Sequence, residues 1–242
     1  MKIVIVIPAR FESTRFPGKP LASILGKSLI RHVWEKCVLA IDHKLVYVAT
    51  DDLRIKNHCE EQGMQVVLTN SDCLTGTDRV YEAAKEIDAD YYINVQGDEP
   101  LIRPEDIKKV ISSIHLIRDR VLINAQCEIL GQEDFLNVNI PKVVTDSANY
   151  LIYISRAPIP FNKSGKFIIG KKQVCIYGFN KEQLECFASL GKKTPLECVE
   201  DIEILRFLEL GYKVKMINVS SSSIAVDVPD DIRAVIEKIQ AE

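Results

Sequence analysis

The chain has 242 residues, of which 47% are hydrophobic and 27% charged, and its formal net charge is −3. These are ordinary globular values, so long disordered stretches are excluded. The absence of a long basic tract predicts no nucleic-acid partner and no membrane-surface partner, and no apolar run reaches the ~18 residues of a membrane span.

The seven cysteines are an odd number, and no two of them are spaced as C-x-x-C. We therefore expect neither a zinc site nor a disulfide framework. The simplest interpretation is that the thiols are reduced, which predicts a cytoplasmic protein.

The first half of the chain alternates short apolar runs with helical repeats. The predicted strands are 3–7, 45–49, 66–68 and 91–95, and the predicted helices are 28–40, 53–62, 77–85 and 104–114, with Thr77 as a helix cap. Four such repeats predict an α/β fold with a doubly wound, mostly parallel sheet. Ligands on such sheets bind beyond the carboxyl ends of the strands, which indicates the loops 8–20, 50–52 and 96–100.

The second half has more strands and longer loops. Strands are predicted at 121–128, 142–145, 150–155, 174–179 and 213–219, helices at 196–210 and 230–240, and an exposed loop at 162–172. We expect these elements to extend the sheet within one domain that spans 1–242, with 142–179 contributing a small dimerisation lobe.

A basic loop at 8–20 directly follows the first predicted strand. It carries Arg10, Arg15 and Lys19 together with Gly18 and several prolines. A glycine-containing loop with fixed cations at the end of a strand suits a triphosphate. The P-loop pattern G-x-x-x-x-G-K is absent, as is G-x-G-x-x-G. An ordinary basic surface loop remains the alternative.

Two carboxylates are candidate ligands for a divalent cation. Asp98 follows the strand 91–95 in the stretch N-V-Q-G-D-E-P, and Asp227 lies in the apolar run 224–228 before the last helix. Carboxylates at such positions can hold Mg²⁺ against phosphate oxygens. The alternatives are an acidic turn for Asp98 and a helix-cap region for Asp227, with Asp230 as the cap.

The stretch 8–20 resembles the motif P-A-R-x-x-S-[ST]-R-x-P-G-K-P of the 3-deoxy-manno-octulosonate (KDO) cytidylyltransferases. Further blocks of that family match in order at 49–52, 75–79, 94–100, 142–144, 153–157 and 176–178. The resemblance implies a nucleotide-diphospho-sugar transferase-like fold and a Mg²⁺-dependent transfer of CMP from CTP to an acidic sugar, with release of pyrophosphate. It also implies a homodimer and a product used for surface glycans such as lipopolysaccharide.

The resemblance assigns expected roles residue by residue. The catalytic residues would be Arg10, Lys19 and Asp98, and the metal ligands would be Asp98 and Asp227. The nucleotide-binding residues would be Ala9, Arg10, Arg15, Lys19, Thr75, Arg79 and Gln96, with Ala9, Thr75 and Gln96 nearest the cytosine and ribose. The acceptor-binding residues would be Arg156, Gln173, Tyr177 and Glu203.

The chain departs from the family pattern in the acceptor half. Gln173 stands where the family has histidine in R-H-x-G-[IV]-Y, Ile204 stands where it has glutamine in L-E-Q-L-R, and Val228 replaces the threonine of V-D-T-P. Each polar partner that is lost should weaken the binding of a hydroxylated acceptor by ~1–3 kcal/mol. KDO is the first expectation for the acceptor. The alternatives are another acidic acceptor, such as an amino sugar acid or a phosphonate, and a non-catalytic nucleotide-binding relative.

Overall fold

The computed structural model describes residues 1–13, 15–220 and 223–241. The strands are β1 Ile3–Ala9, β2 Ser23–Ile24, β3 Lys27–Ser28, β4 Val46–Thr50, β5 Gln65–Leu68, β6 Tyr91–Val95, β7 Val121–Glu128, β8 Lys142–Thr145, β9 Leu151–Ser155, β10 Lys171–Phe179 and β11 Lys213–Asn218. The helices are α1 Leu29–Val38, α2 Leu53–Glu61, α3 Gly76–Glu86, α4 Pro104–Ser112, α5 Gln132–Leu136, α6 Lys181–Ser189, α7 Pro195–Glu200, α8 Ile204–Glu209 and α9 Asp231–Ala241.

The central sheet has the strand order β11-β7-β10-β6-β1-β4-β5. Six of these seven strands run in the same direction, and β10 is antiparallel to both of its neighbours, β6 and β7. The predicted α/β fold with a mostly parallel sheet is therefore confirmed. In the described part of the chain, no helix is long and apolar enough to cross a membrane.

Side chains of β1 alternate between two apolar cores, which explains why the strand is an uninterrupted apolar run. Ile5 and Ile7 join one core, and Val4 and Val6 join the other. The first core is covered by α1, α2 and α4, and the second by α3, α6 and α8. A strand covered on both faces has no polar side to present, so its sequence does not alternate.

The single helix predicted at 196–210 is wrong. The chain forms two short helices, α7 and α8, separated at Asp201, which adopts the left-handed conformation with φ 51°. A capping box between Thr194 and Glu197 begins α7. The apolar spacing runs through both helices because each buries one face, so the sequence pattern shows no break.

Other differences are local. The cap of α3 is Thr75 and not Thr77, and the helices α5 and α6 and the hairpin β2–β3 lay outside the predicted elements. Each strand of the hairpin has only two residues and α5 has only five, so neither has room for a clear repeat.

The segment 142–179 divides between the central strand order and strands that lie outside it. Ile176 to Phe179 of β10 pair with β6 in the centre of the sheet, while the other end of β10 pairs with β8, which in turn pairs with β9. The part outside the central strand order is therefore the β8–β9 hairpin with the segment 156–170. The assignment of this part to dimerisation stays a prediction.

Candidate active-site cleft

A cleft of about 500 Å³ opens at the carboxyl ends of β1 and β6, beside the start of α3. The loops that follow these parallel strands lie at the same edge of the sheet, as expected for a sheet of this class. The site residues predicted from sequence that line the cleft are Ala9, Arg10, Arg15, Lys19, Thr75, Arg79, Gln96, Asp98, Arg156 and Asp227. Residues that the sequence reasoning did not single out also line it, among them Ser13, Cys73, Asn139 and Asp201.

The basic loop is shaped by a left-handed turn at Gly18. Gly18 has φ 70°, its amide donates to the Phe11 carbonyl at 2.9 Å, and a Cβ at this position would lie 3.0 Å from the Phe11 ring. The Arg54 guanidinium covers that ring, at 3.3 Å from its centroid. The turn leads into a short 3-10 helix, Lys19–Leu21, which places Lys19 at the wall of the cleft.

Gly97 allows the loop after β6 to lie directly against the loop after β1. A Cβ at Gly97 would lie 2.8 Å from the carbonyl oxygen of Pro8, a distance that backbone atoms cannot accommodate without moving apart. The glycine therefore brings Asp98 within reach of the basic loop. Only glycine permits this close approach of two backbones.

Asp98 and Asp227 converge on one ammonium group. The Lys19 Nζ lies 2.9 Å from Asp98 Oδ2 and 3.7 Å from Asp227 Oδ1, and the Arg15 guanidinium lies 3.1 Å from the same Asp227 oxygen. The backbones of the two loops are also joined, because the Val226 amide donates to the Asp98 carbonyl at 2.9 Å. Residues 129 positions apart in sequence thus form one charged cluster.

Asp231 holds the loop that carries Asp227. Its Oδ2 accepts hydrogen bonds from the amides of Asp227 at 2.7 Å and Val228 at 2.9 Å. Helix α9 begins at Asp231, so this carboxylate at the start of the helix holds the loop that precedes it. The expectation that Asp230 caps the helix stays a prediction.

The donor set at Asp98 and Asp227 fits Mg²⁺. The two carboxylates already surround a cation, the Lys19 ammonium, and both are hard oxygen ligands. No group of three or more His, Cys, Asp or Glu side chains suited to a metal occurs among the described residues. A two-carboxylate site is the kind that Mg²⁺ completes with waters and substrate phosphates.

The start of α3 forms another wall and is held by a buried ion-pair network. The Thr75 hydroxyl donates to Asp78 Oδ2 at 2.8 Å and accepts from the Asp78 amide at 3.2 Å. Arg206, which is fully buried, donates to Asp78 at 2.9 Å and to both oxygens of Glu197 at 2.7 Å. Arg206 also lies over the Phe187 ring at 3.7 Å. This network links the cleft residue Thr75 to helices α7 and α8.

The guanidinium groups of two arginines at the cleft, Arg79 and Arg156, form hydrogen bonds with other groups of the protein. The Arg79 guanidinium pairs with Asp51 at 3.1 Å and donates to the Thr69 hydroxyl at 2.6 Å. Arg156 donates to three backbone carbonyls, those of Glu200, Val138 and Asp201. Arg156 therefore ties two sides of the cleft wall together. Arg10, by contrast, is exposed and has no ion pair in the described part of the chain.

The remaining predicted acceptor residues lie behind the cleft wall. Gln173 is buried and donates to the Asn124 side chain at 2.9 Å, and Tyr177 is only 3% exposed. Glu203 accepts from the Gln96 side chain at 2.9 Å and from the Thr77 amide at 3.0 Å, and burial raises the pKa of its carboxyl. Glu203 thus contacts the cleft residue Gln96 from behind. Ile204 is 1% exposed within the apolar core.

Glu99 is a buried acid beside the charged cluster. Burial, with the neighbouring charge of Asp98, raises the pKa of its carboxyl to about 7. Its Oε1 accepts from the Cys175 amide at 3.3 Å, which links the loop after β6 to β10. The buried carboxyls of Glu99 and Glu203 both stand between the cleft and β10.

The sequence model of a family described as cytidylyltransferase matches residues 4–217 of this chain. The chain belongs to the cytidylyltransferase family. It is 43% identical to a 3-deoxy-manno-octulosonate cytidylyltransferase of Zea mays over 98% of this chain and 79% of that protein. It is 40% identical to an 8-amino-3,8-dideoxy-manno-octulosonate cytidylyltransferase of Shewanella oneidensis over 96% of each.

A solved structure of a CMP:2-keto-3-deoxy-manno-octonic acid synthetase in complex with CTP superposes with a TM-score of 0.91. The identity is 32%, and the match covers 100% of this chain and 99% of that chain. The resemblance inferred from the sequence motifs is therefore confirmed, and the chain has the cytidylyltransferase fold throughout.

The charge of this cytidylyltransferase cleft suits anionic ligands. Its lining has five cationic side chains, Arg10, Arg15, Lys19, Arg79 and Arg156, and three carboxylates, Asp98, Asp201 and Asp227. The excess of positive charge attracts a triphosphate or an acid, because a cleft with low-dielectric walls strengthens the field within it.

Proposed function

We propose that the chain transfers CMP from CTP to KDO, an acidic eight-carbon 2-keto sugar, and releases pyrophosphate. The observation that carries this proposal is the meeting of the basic loop and the carboxylates Asp98 and Asp227 across one cleft. The CTP-bound synthetase with the same fold supports the choice of nucleotide, and the relative from Zea mays supports the choice of acceptor.

The reaction is an in-line displacement at the α-phosphorus of CTP. The anomeric hydroxyl oxygen of the acceptor forms a bond to phosphorus and gives up its proton to solvent. The bond between the α-phosphorus and the bridging oxygen breaks, and its electron pair leaves with pyrophosphate. Arg10, which is free of ion pairs among the described residues, and Lys19 stabilise the negative charge that develops on the leaving group.

Asp98 and Asp227 would hold Mg²⁺ in this site. When bound, the ion neutralises phosphate charge and orients the oxygens of the triphosphate. The chain contributes a preformed pair of carboxylates, since Asp231 and the Val226 amide fix the loop that carries Asp227. No covalent enzyme intermediate is needed, and no nucleophilic side chain is assigned.

The base of CTP would lie beside Ala9, Thr75 and Gln96. All three line the cleft, and the buried network behind Thr75 holds that wall in place. Gln96 is held from behind by Glu203, so its amide is fixed when a ligand arrives. We expect CTP to be preferred over ATP, GTP and UTP. Arg15 and Arg79 complete the proposed nucleotide site, with Arg79 in a supporting role.

A second acceptor is favoured by one specific observation. The relative from Shewanella oneidensis, whose name specifies an 8-amino acceptor, is nearly as similar to this chain as the KDO enzyme of Zea mays. An amino-substituted ulosonic acid is therefore the alternative to KDO, with a phosphonate or another acid as more distant alternatives.

The free cysteines and the exposed apolar residues of the predicted lobe, 142–179, support the remaining parts of the proposal. All seven cysteines are unpaired, which suits the reducing cytoplasm.

The lobe exposes Ile152, Phe161, Ile168 and Ile169, each with more than half of its surface accessible. Several exposed large apolar side chains on one segment are typical of an interface, so we propose a homodimer built on this lobe. The product would feed the synthesis of a surface glycan such as lipopolysaccharide.

The test is a comparison of acceptors under saturating CTP and Mg²⁺. The kcat/KM for pyrophosphate release is measured with KDO, 8-amino-KDO and an alkyl phosphonate. The proposal predicts the highest value for KDO. A higher value for 8-amino-KDO would support the alternative acceptor, and no release with any acid would support a non-catalytic nucleotide-binding protein.

A further inference from the structure

The space between the two candidate metal ligands is occupied by a side chain of the protein itself. The Lys19 ammonium lies 2.9 Å from Asp98 and 3.7 Å from Asp227, and only 17% of the Lys19 side chain is exposed. A partly buried ammonium between two carboxylates neutralises them more strongly than a solvated one. Lys19 thus stands where a divalent cation would be attracted.

The carboxylates would keep their positions without Lys19. The Val226 amide joins the loop of Asp227 to the Asp98 carbonyl, and Asp231 binds the backbone of Asp227. Removal of the ammonium would therefore leave two preformed oxygen ligands with less positive charge beside them. Arg15 would continue to neutralise Asp227, from a side chain that is 57% exposed.

The protein alone offers few ligands to a metal. The described residues contain no group of three or more His, Cys, Asp or Glu side chains placed for one. Mg²⁺ loses its waters reluctantly and is usually held by one or two carboxylates together with substrate phosphates. A triphosphate would bring both the missing oxygen ligands and a competing partner for the Lys19 ammonium.

We propose that Lys19 excludes free divalent cations from the Asp98–Asp227 site and admits a metal only together with a triphosphate. On arrival of the nucleotide, the ammonium exchanges its carboxylate partners for phosphate oxygens, and the carboxylates become available. This inference rests on the proposed function for the identity of the nucleotide and the metal. It adds an order of binding, in which the metal does not precede the triphosphate.

Arg10 offers a matched control. It lies in the same basic loop and lines the same cleft, and it carries the same charge as Lys19. It makes no ion pair with Asp98 or Asp227. Removing Arg10 therefore changes the general field of the cleft without opening the space between the carboxylates.

The experiment measures Mn²⁺ binding in the absence of nucleotide and acceptor, from the electron paramagnetic resonance signal of free Mn²⁺. The proteins are the unmodified chain, Lys19→Met, Lys19→Gln, Arg10→Met and the double variant Lys19→Met/Asp98→Asn, each checked for folding by circular dichroism. Both Lys19 variants should bind Mn²⁺ about tenfold more tightly or better, because an ion at contact distance is removed. Arg10→Met should bind much as the unmodified chain does, and the double variant should lose the gain.

Equal affinities in the unmodified chain and the Lys19 variants would overturn the proposal. An equal gain in Arg10→Met would also overturn it, because the effect would then be general charge and not occupation of the site. The titration involves no turnover. A failure of CMP transfer would therefore refute the proposed function and leave this result standing, and the reverse also holds.

Discussion

The two sides of the cleft are built in different ways. The proposed nucleotide side consists of charged groups that line the open cleft, and its cations Arg15 and Lys19 pair there with the carboxylates Asp98 and Asp227. The acceptor side consists of buried polar groups on β10 and α8 that bond to each other, as Gln173 does to Asn124 and Glu203 does to Gln96. The charged pairs of the nucleotide side therefore lie at the open cleft, where a ligand can compete for them, whereas the polar groups of the acceptor side are buried and hydrogen-bonded within the protein.

This difference indicates where each kind of mutation acts. A change on the nucleotide side removes a group that touches the ligand and leaves the packing intact. A change on the acceptor side first disturbs buried partners, each of which costs free energy when it is left unpaired. Activity and stability should therefore separate between the two sides.

The largest effect is expected on activity at the carboxylate pair. Asp98→Asn and Asp227→Asn should each lower kcat for pyrophosphate release by roughly 10²–10³-fold, because each removes a charged metal ligand. Both side chains are about one-third exposed, so the melting temperature should change little. The control is Asp201→Asn, which also lines the cleft but pairs with Lys193 at 2.6 Å. Near-normal activity in either principal variant would remove that residue from the proposed metal site.

The next effect is on stability behind the nucleotide wall. Arg206→Met should lower the free energy of unfolding by about 3–5 kcal/mol, because Asp78 and Glu197 would remain buried without their cation. Urea denaturation measures the loss. Lys56→Met removes the ion pair with Glu60 at the protein surface and should cost about 0–1 kcal/mol. Equal losses in the two variants would show that the Arg206 network does not support this wall.

A smaller loss of stability is expected at Ile204. Ile204→Gln restores the family residue but places an amide in an apolar core, so it should cost about 1–3 kcal/mol in unfolding free energy. Turnover of KDO should not improve relative to 8-amino-KDO, because this side chain does not reach the cleft. The sequence pattern implies the opposite, because it counts Ile204 and Gln173 as replacements of polar partners for a hydroxylated acceptor. Ile204→Val is the control for packing, and a gain in KDO specificity with Ile204→Gln would reinstate the expectation from sequence.

The last prediction concerns the oligomeric state, and among these variants the lobe variant should change the chemistry least. Phe161→Asp should halve the molar mass in solution at micromolar concentration, because it places a charge in the proposed dimer interface. Light scattering after size-exclusion chromatography measures the mass. Leu130→Asp, which lies at a 90% exposed position outside 142–179, should leave the mass unchanged. A monomeric mass for the unmodified chain would contradict the dimer outright.

The convergence of the proposed nucleotide-side residues on one cleft could be predicted from the sequence, because these residues follow strands in contiguous motifs. The run of apolar residues at β1 located the sheet, and parallel strands necessarily bring their carboxyl ends, and so Arg10 and Asp98, to one edge. Asp227 could be singled out because a carboxylate within an apolar run has no structural explanation of its own. Its approach to Lys19 depends on a tertiary contact that the sequence does not specify.

The burial of the predicted acceptor residues could not be read from the sequence, because it is decided by packing between distant elements. The break at Asp201 leaves no trace in the apolar spacing, yet it turns Ile204 into the core and Glu203 toward Gln96. The structural roles of Arg206 and Asp231 were not predicted either. Arg206 pairs with Asp78, which is 128 residues away in sequence. Asp231 accepts a hydrogen bond from the Asp227 amide only 4 residues away, but this contact depends on how the loop folds.

The central claim is tested most directly by identifying the product. The unmodified chain is incubated with KDO, Mg²⁺ and one nucleoside triphosphate at a time, and the product is observed by ³¹P nuclear magnetic resonance. With CTP, the account predicts a phosphodiester resonance of a CMP-sugar and an equal amount of pyrophosphate, and much less product with ATP, GTP or UTP. Equal turnover of all four triphosphates would contradict the proposed cytosine site, and CTP hydrolysis without a phosphodiester would contradict the transfer itself.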